Sequence, residues 1–227
     1  DLAGVLAQME STVGIGEATG LAGDSLRDGK DLGSGGGRPN SQGDEQTTAE
    51  LFGISGSGTY FLYVFDRSDS MNGFGGKPLR AAKRELIRSL KSLTDRQRFQ
   101  VIFYNETPKP LQITGMPLQL LPGSPNMLKR AVNYVEATAA FGGTHHDSAL
   151  RMALRMSPDV IFFLTDATVP RLSETQLRDI RNRAQSNGTT IHAIEFGAGP
   201  SQSNSSFLKQ LAAQNQGQYR YFDVTQL

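Results

Sequence analysis

Two uninterrupted apolar runs constrain this chain more than any other feature. Tyr60-Phe61-Leu62-Tyr63-Val64-Phe65 ends in Asp66, and Val160-Ile161-Phe162-Phe163-Leu164 ends in Thr165-Asp166. A strand with one face in water alternates apolar and polar residues. A short run that is apolar on both faces reads as a central strand of a parallel sheet covered on both sides. Phe99 to Tyr104, Thr190 to Phe196 and Gln218 to Phe222 are further strand candidates, and Leu111 to Ile113 is a candidate short edge strand. Helical patterns fall between them. Leu79, Ala82, Leu86, Leu90 and Leu93 share one face of a helix from Pro78 to Leu93. Ser124-Pro125 opens a helix carrying Leu128, Ala131 and Val135. Another helix runs from His146 to Met156. Ser173 and Gln176 form a capping-box pair before Leu177, Ile180 and Ala184, and Phe207 to Gln216 is stopped by Gly217. Strands alternating with helices predict an α/β fold: a Rossmann-like open, mostly parallel sheet with helices on both faces.

Residues 1–50 have a different character. They are polar and glycine-rich, with Gly33-Ser34-Gly35-Gly36-Gly37 as the extreme. Such a segment buries too little surface to offset its ordering entropy. A flexible linker is expected there, with a short helical turn at Asp1 to Met9, and a globular domain is expected over 51–227. Hydrophobic residues make up 37% of the chain, enough for a core. Lys plus Arg is 23 against 22 Asp plus Glu, so global charge gives no ground for nucleic-acid binding. The absence of cysteine excludes disulfides, thiolate metal sites and thiol catalysis. No apolar run approaches the roughly 18 residues a membrane span needs, so no direct membrane insertion is expected. The chain begins at Asp1 without a start methionine or signal-peptide pattern. A fragment of a longer protein is the expectation, with any export signal or anchor upstream.

In open parallel sheets, ligands bind outside the carboxyl ends of the strands. Three polar segments fall there: Asp66-Arg67-Ser68-Asp69-Ser70, Gly142-Gly143-Thr144, and Thr165-Asp166. Hydroxyls of Ser68, Ser70 and Thr144 are neutral oxygen donors, and Asp66 and Asp166 supply charge directly or through water. Oxygen ligands of this kind suit a hard cation, Mg²⁺ or Mn²⁺. With few formal charges around it, such a cation stays electrophilic and can accept a carboxylate from a partner.

Asp66-x-Ser68-x-Ser70, then Thr144 after a glycine pair, then Asp166 at a strand end resembles the metal-ion-dependent adhesion site (MIDAS) of von Willebrand factor type A domains. The resemblance covers residues 51–227. The wording of Val64-Phe65-Asp66-Arg67-Ser68, Phe162-Phe163-Leu164-Thr165-Asp166 and Thr190-Ile191-His192-Ala193-Ile194-Glu195-Phe196-Gly197 resembles a bacterial envelope-type subgroup. It implies that Ser68 and Ser70 contact the metal directly, that Thr144 does so in the ligand-bound state, and that Asp66 and Asp166 often act through water. It also implies a non-enzymatic adhesion module. The cation bridges to an Asp or Glu of a protein partner, in an extracytoplasmic setting. Two positions depart from the pattern: Asp69 and Ala167 stand where glycine is usual. Asp69 places an extra carboxylate at the rim, able to tighten metal binding or to repel an acidic ligand.

Each residue also has a plainer reading. Asp66 can close a strand, Ser68 can cap a turn, and Asp166 can be an ordinary turn residue. Thr144 and Asp147 can form a capping-box-like pair at a helix start. Their joint occurrence at one sheet edge favours the metal site. His145 and His146 invite a zinc site, but with no cysteine and His192 inside a strand the ligand count falls short. A helix start or the rim of the cation site suits the two histidines better. Lys77, Arg80, Lys83, Arg84, Arg88 and Lys91 read as a solvated helix face, with an anionic surface or an acidic partner as the alternative. Gly73 to Lys77 is not a phosphate loop, because Met71 and Pro78 stand at required Gly and Ser/Thr positions. The rival function is a metal-dependent hydrolase using the cation to activate water, which needs a general base from Asp69, His145 or His146.

Overall fold

The structure, a computed structural model, describes residues 47–166, 170–201 and 206–226. The linker expected over most of 1–50, with its turn at Asp1 to Met9, therefore lies outside the described residues up to 46, as does Ala167. Strand β1 (Thr47–Leu51) pairs antiparallel with β2 (Ile54–Gly58). The remaining elements are β3 (Tyr60–Asp66), α1 (Gly73–Ser92), β4 (Arg98–Tyr104), β5 (Pro108–Pro110), β6 (Leu121–Pro122), α2 (Pro125–Ala137), α3 (His146–Leu154), β7 (Val160–Thr165), α4 (Glu174–Asn187), β8 (Thr190–Gly197), α5 (Phe207–Gln214) and β9 (Tyr219–Asp223). The main sheet runs β5-β4-β3-β7-β8-β9, with β6 also on β4. Its central pairs β4–β3, β3–β7, β7–β8 and β8–β9 are parallel, and β5 and β6 are antiparallel edges.

The continuous apolar runs serve two cores at once. Phe61, Tyr63 and Phe65 of β3 face one cluster with Leu79, Ala82, Leu86 and Leu90 of α1 and Ala131 and Val135 of α2. Leu62 and Val64 face the other, with Ala149, Leu150 and Ala153 of α3, Leu177 and Ile180 of α4, and Leu208 and Leu211 of α5. Every residue from Phe61 to Phe65 is fully buried. The expected capping box forms: Gln176 N donates to Ser173 Oγ at 3.2 Å, and Ser173 N donates to Gln176 Oε1 at 2.8 Å.

Several expectations are corrected. Leu111 to Ile113 forms no strand; Pro108–Pro110 pairs with Ile102 to Tyr104 instead. Proline is tolerated there because an edge strand can leave one side without donors. The globular part also begins earlier than 51, because Thr47–Leu51 is a strand. The turn residues Phe52 and Gly53 have φ of 52° and 72°, the left-handed pair that matches hairpin twist. The hairpin lies so close to the sheet that a Cβ on Gly56 would sit 2.7 Å from Val160 Cγ1. Helix α5 ends at Gln214, and Gln216, not Gly217, takes the left-handed conformation. Gly217 is needed for proximity: a Cβ there would fall 1.8 Å from the Ile191 carbonyl oxygen.

A truncation series tests where the fold begins. Removing 1–46 is expected to change unfolding free energy by less than about 0.5 kcal/mol. Removing 1–51 strips buried Ala49 and Leu51 and is expected to cost at least about 3 kcal/mol, read from urea midpoints. A loss of about 3 kcal/mol from removing 1–46 alone would place the tail in the core.

Candidate metal centre

Register delivers the site. Phe65 of β3 pairs with Leu164 of β7, so both strands end level and release Asp66 and Asp166 at the same edge. Asp66 is fully buried. Its Oδ1 accepts from the Ser68 amide at 2.7 Å, and its Oδ2 accepts from Thr165 Oγ1 at 2.6 Å. The Ser68 amide bond folds the chain back at the strand end and starts the 3-10 turn Asp69–Asn72. Ser68 Oγ then lies 3.0 Å from Ser70 Oγ, and Ser70 Oγ donates to Asp166 Oδ1 at 2.7 Å. Asp66, Ser68, Ser70 and Asp166 are thus joined side by side.

The Thr144 loop is stitched to this group by its backbone. Phe141 N donates to Arg67 O and Asp69 N donates to Gly142 O, each at 2.9 Å. Asn72 Nδ2 donates to Ala140 O at 3.0 Å, Asn105 Nδ2 to Phe141 O at 2.9 Å, and His145 N to Asn105 O at 2.8 Å. Thr144 is half-buried beside these bonds. Its plainer role is not realised: His145 occupies the cap position of α3 with no side-chain cap bond, and Asp147 instead binds Arg151 Nε through both oxygens at 2.9 Å. The loop-anchoring roles of Asn72 and Asn105 had no sequence signal, since each depends on a carbonyl more than thirty positions away.

The rim residues separate. Asp69 is exposed, its Oδ1 accepting from Asn72 Nδ2 at 3.2 Å, and His145 is exposed at the start of α3. His146 is not a rim residue. It is 1% exposed, its Nδ1 is 2.9 Å from the Tyr104 hydroxyl, and its ring packs on Phe163 and Phe207. Helical periodicity carried that signal: Ala149, Leu150 and Ala153, on the buried face, stand three, four and seven positions on. His192 Nδ1 accepts from Gln218 N at 3.0 Å, inside the sheet. The three histidines do not converge, and among the described residues no three His, Asp or Glu side chains group together.

Burial raises the Asp66 carboxyl to about 6, with bonds from Thr165 and Ser68 working against it and Asp166 adding repulsion. Asp166 is raised too, chiefly by burial, against the bond from Ser70. Two desolvated carboxylates beside hydroxyl oxygens form a donor set that suits a hard cation. The spacing fits: oxygens on adjacent corners of an octahedron with bonds of ~2.1 Å lie ~3.0 Å apart, and the two serine oxygens are 3.0 Å apart. A cavity of about 430 Å³ opens beside Asp166, lined by Arg171, Glu195, Phe196, Phe207 and Tyr221 among others.

The Asp66 shift sets a pH dependence. Its folded value, about 6, lies above its ordinary 3.8. The native state therefore holds the proton more tightly, and this group's contribution to stability is lost as pH rises from about 4 to 6. The loss without cation is at most roughly 3 kcal/mol. Asp66→Asn keeps an acceptor for Ser68 N and can donate to Thr165 Oγ1. In chelator, urea unfolding at pH 4.5 and 7.5 should show that the variant lacks the parent's loss; equal pH dependence would refute the assignment.

The family model described as von Willebrand factor type A domain matches residues 61–221. Among curated proteins, inter-alpha-trypsin inhibitor heavy chain H4 of Homo sapiens is 27% identical over 172 residues, and its Mus musculus counterpart 28% over 172. Each alignment covers 69% of this chain and only 17% of the relative's length. Among solved structures, a von Willebrand factor type A protein from Catenulispora acidiphila has a TM-score of 0.61 at 22% identity, over 76% of this chain and 41% of that one. BatB of Bacteroides thetaiotaomicron gives 0.56 at 16%, over 73% and 91%. Proximal thread matrix protein 1 of the mussel byssus, with a zinc-occupied MIDAS motif, gives 0.54 at 17%, over 74% and 42%. The structural likenesses show the fold, and the matched span contains all three loops of the site: the chain belongs to the von Willebrand factor type A domain family.

Proposed function

We propose that this domain is a divalent-cation-dependent protein-binding module. Ser68 and Ser70 hold Mg²⁺ or Mn²⁺ directly, Asp66 and Asp166 hold it directly or through water, and Thr144 joins when a ligand binds. The cation supplies an electrophilic position that accepts an Asp or Glu carboxylate of a partner. The observation that carries this reading is the linked set Asp66–Ser68–Ser70–Asp166, with serine oxygens at octahedral spacing. Metal in the mussel protein's MIDAS motif supports it. That ion is zinc; here the donors are oxygens alone, which favours a harder ion. The motif wording around Asp66 and Asp166 supports a bacterial envelope setting.

Geometry favours binding over hydrolysis. A hydrolase needs a general base beside the cation. Of the three candidates, His146 is buried against Tyr104, Asp69 is bonded to Asn72, and His145 sits at a helix start.

Mg²⁺ at a hundred times its Kd is expected to stabilise the native state by about 2.7 kcal/mol. Asp66→Asn and Ser68→Ala are expected to lose most of the accompanying rise in Tm. Equal responses in parent and variants would disprove the ligand set. A peptide selected for Mg²⁺-dependent binding and carrying Asp or Glu should dissociate in EDTA. It should bind Thr144→Ala about tenfold more weakly while that variant keeps its Mg²⁺-induced shift. Asp69→Gly should strengthen the same peptide's binding, with the gain shrinking as salt rises. Undiminished binding in EDTA rules out bridging.

A further inference from the structure

Among the described residues, three large apolar side chains are exposed: Phe74 at 55%, Leu118 at 43% and Phe141 at 52%. Two of the three flank the cation loops. Phe141 directly precedes Gly142, and its position is held rather than loose. Its amide donates to Arg67 O, its carbonyl accepts from Asn105 Nδ2, and the Arg67 guanidinium lies 4.4 Å from its ring centroid. Phe74 follows the 3-10 turn that carries Ser70. The Asn72–Ala140 bond ties together the chain segments that bear the two rings.

The backbone at Phe74 is the unexpected feature. Phe74, Gly75 and Gly76 have φ of 51°, 68° and 77°, three left-handed residues in a row. Glycine takes that conformation freely, whereas a side chain pays a steric penalty. The hairpin shows the ordinary compensation: Phe52, at φ 52°, is 6% exposed and its ring packs 5.4 Å from Phe196 and 4.7 Å from Phe222. Phe74 has the same conformation with its side chain half in water, so core burial does not compensate it. A large aromatic ring held in solvent at that backbone cost, beside the candidate ligands, is available to a ligand.

We infer that Phe74 and Phe141 form an apolar contact surface flanking the cation. It receives a segment of another protein in which an Asp or Glu stands within three residues of a large apolar side chain. The inference rests on the bridging role proposed for the cation, which fixes the partner's carboxylate; the rings then select what stands beside it. Lys77 and Arg80 follow Phe74, Asp69 precedes it in the 3-10 turn and Glu106 lies against Gly142 and Gly143, so the flanking charge is mixed and the apolar contact carries the selectivity. A lipid surface fits less well. Lys83 donates to Glu136 O, Arg80 donates to Gly75 O and Arg88 pairs with Glu85 and Glu50, so three of the six basic side chains of α1 are engaged within the domain.

A phage-displayed random peptide library, panned on the Mg²⁺-loaded protein and eluted first with EDTA and then with acid, tests this. The EDTA eluate is expected to couple Asp or Glu to Leu, Ile, Phe or Trp within three positions, about fivefold over the unselected library. Acidic peptides without that coupling would leave bridging intact and overturn the inference. Coupling in the acid eluate alone would support the apolar surface and refute bridging. No enrichment in either eluate would overturn both. The same coupling selected by the Phe74→Gly/Phe141→Ala double variant would also overturn the inference. Phe74→Gly alone should bind the selected peptide about fivefold more weakly while its Tm stays level or rises. A fall in Tm with unchanged binding would make the ring structural and overturn the proposal. Anionic phospholipid vesicles should not compete with the peptide, and competition lost in Phe74→Gly would overturn the choice of a protein partner.

Discussion

The open edge of the sheet depends on one carboxylate buried where β3 ends. Asp66 has no access to water, and an ionised group in such a place is costly without partners. Its two oxygens are divided between two elements. One holds the Ser68 amide and so bends the chain into the serine turn; the other holds Thr165 and so fixes the end of β7. Behind Thr165 the Tyr104 hydroxyl meets His146, so the polar chain continues into the core at the base of α3. The carboxylate that brings charge to the candidate site therefore also sets how β3 and β7 release their loops. Its raised pKa is the cost of this arrangement without a cation.

The scaffold makes that arrangement rigid. Parallel strands in a doubly covered sheet cannot slip by one residue without turning Phe61, Tyr63 and Phe65 from one core to the other. Register is thus set by large aromatic groups well inside the protein, and the level ends of β3 and β7 follow from it. Met71 and Ala140 anchor the loops in the core. The loops are also held by backbone bonds and by Asn72 and Asn105, amides that reach across to the 140–145 segment. A ligand loop fixed by side-chain amides can change sequence at its tip without disturbing the sheet. Many binding specificities can in this way sit on one fold.

Membership of the von Willebrand factor type A family accounts for the scaffold. It does not explain every residue present. Asp69 puts an exposed carboxylate beside Ser70; Phe74 keeps a left-handed backbone with its ring in solvent. Both lie within a few residues of Ser70, on the surface a partner would meet, and both are choices the fold itself does not require.

By itself the sequence determined the features governed by local pattern. The buried strands were legible because doubly apolar runs have few other uses, and the helices because Leu79 to Leu93 and Leu177 to Ala184 repeat with helical period. The candidate ligands were legible because Asp66, Ser68 and Ser70 stand at alternate positions of one strand-end loop, and Asp166 closes a second apolar run. Tertiary structure alone decided the rest. The β1–β2 hairpin carries Gly56 where strands prefer branched residues, because a Cβ there would fall 2.7 Å from Val160 Cγ1; no local pattern reports that distance. Pro108–Pro110 serves as a strand only because β4 offers an edge. His145 and His146 differ by one helical step, and packing on Phe163 and Phe207 turned one inward and left the other in solvent. Short-range periodicity specifies which face of an element is buried; what that face meets is set by chain segments far away in sequence.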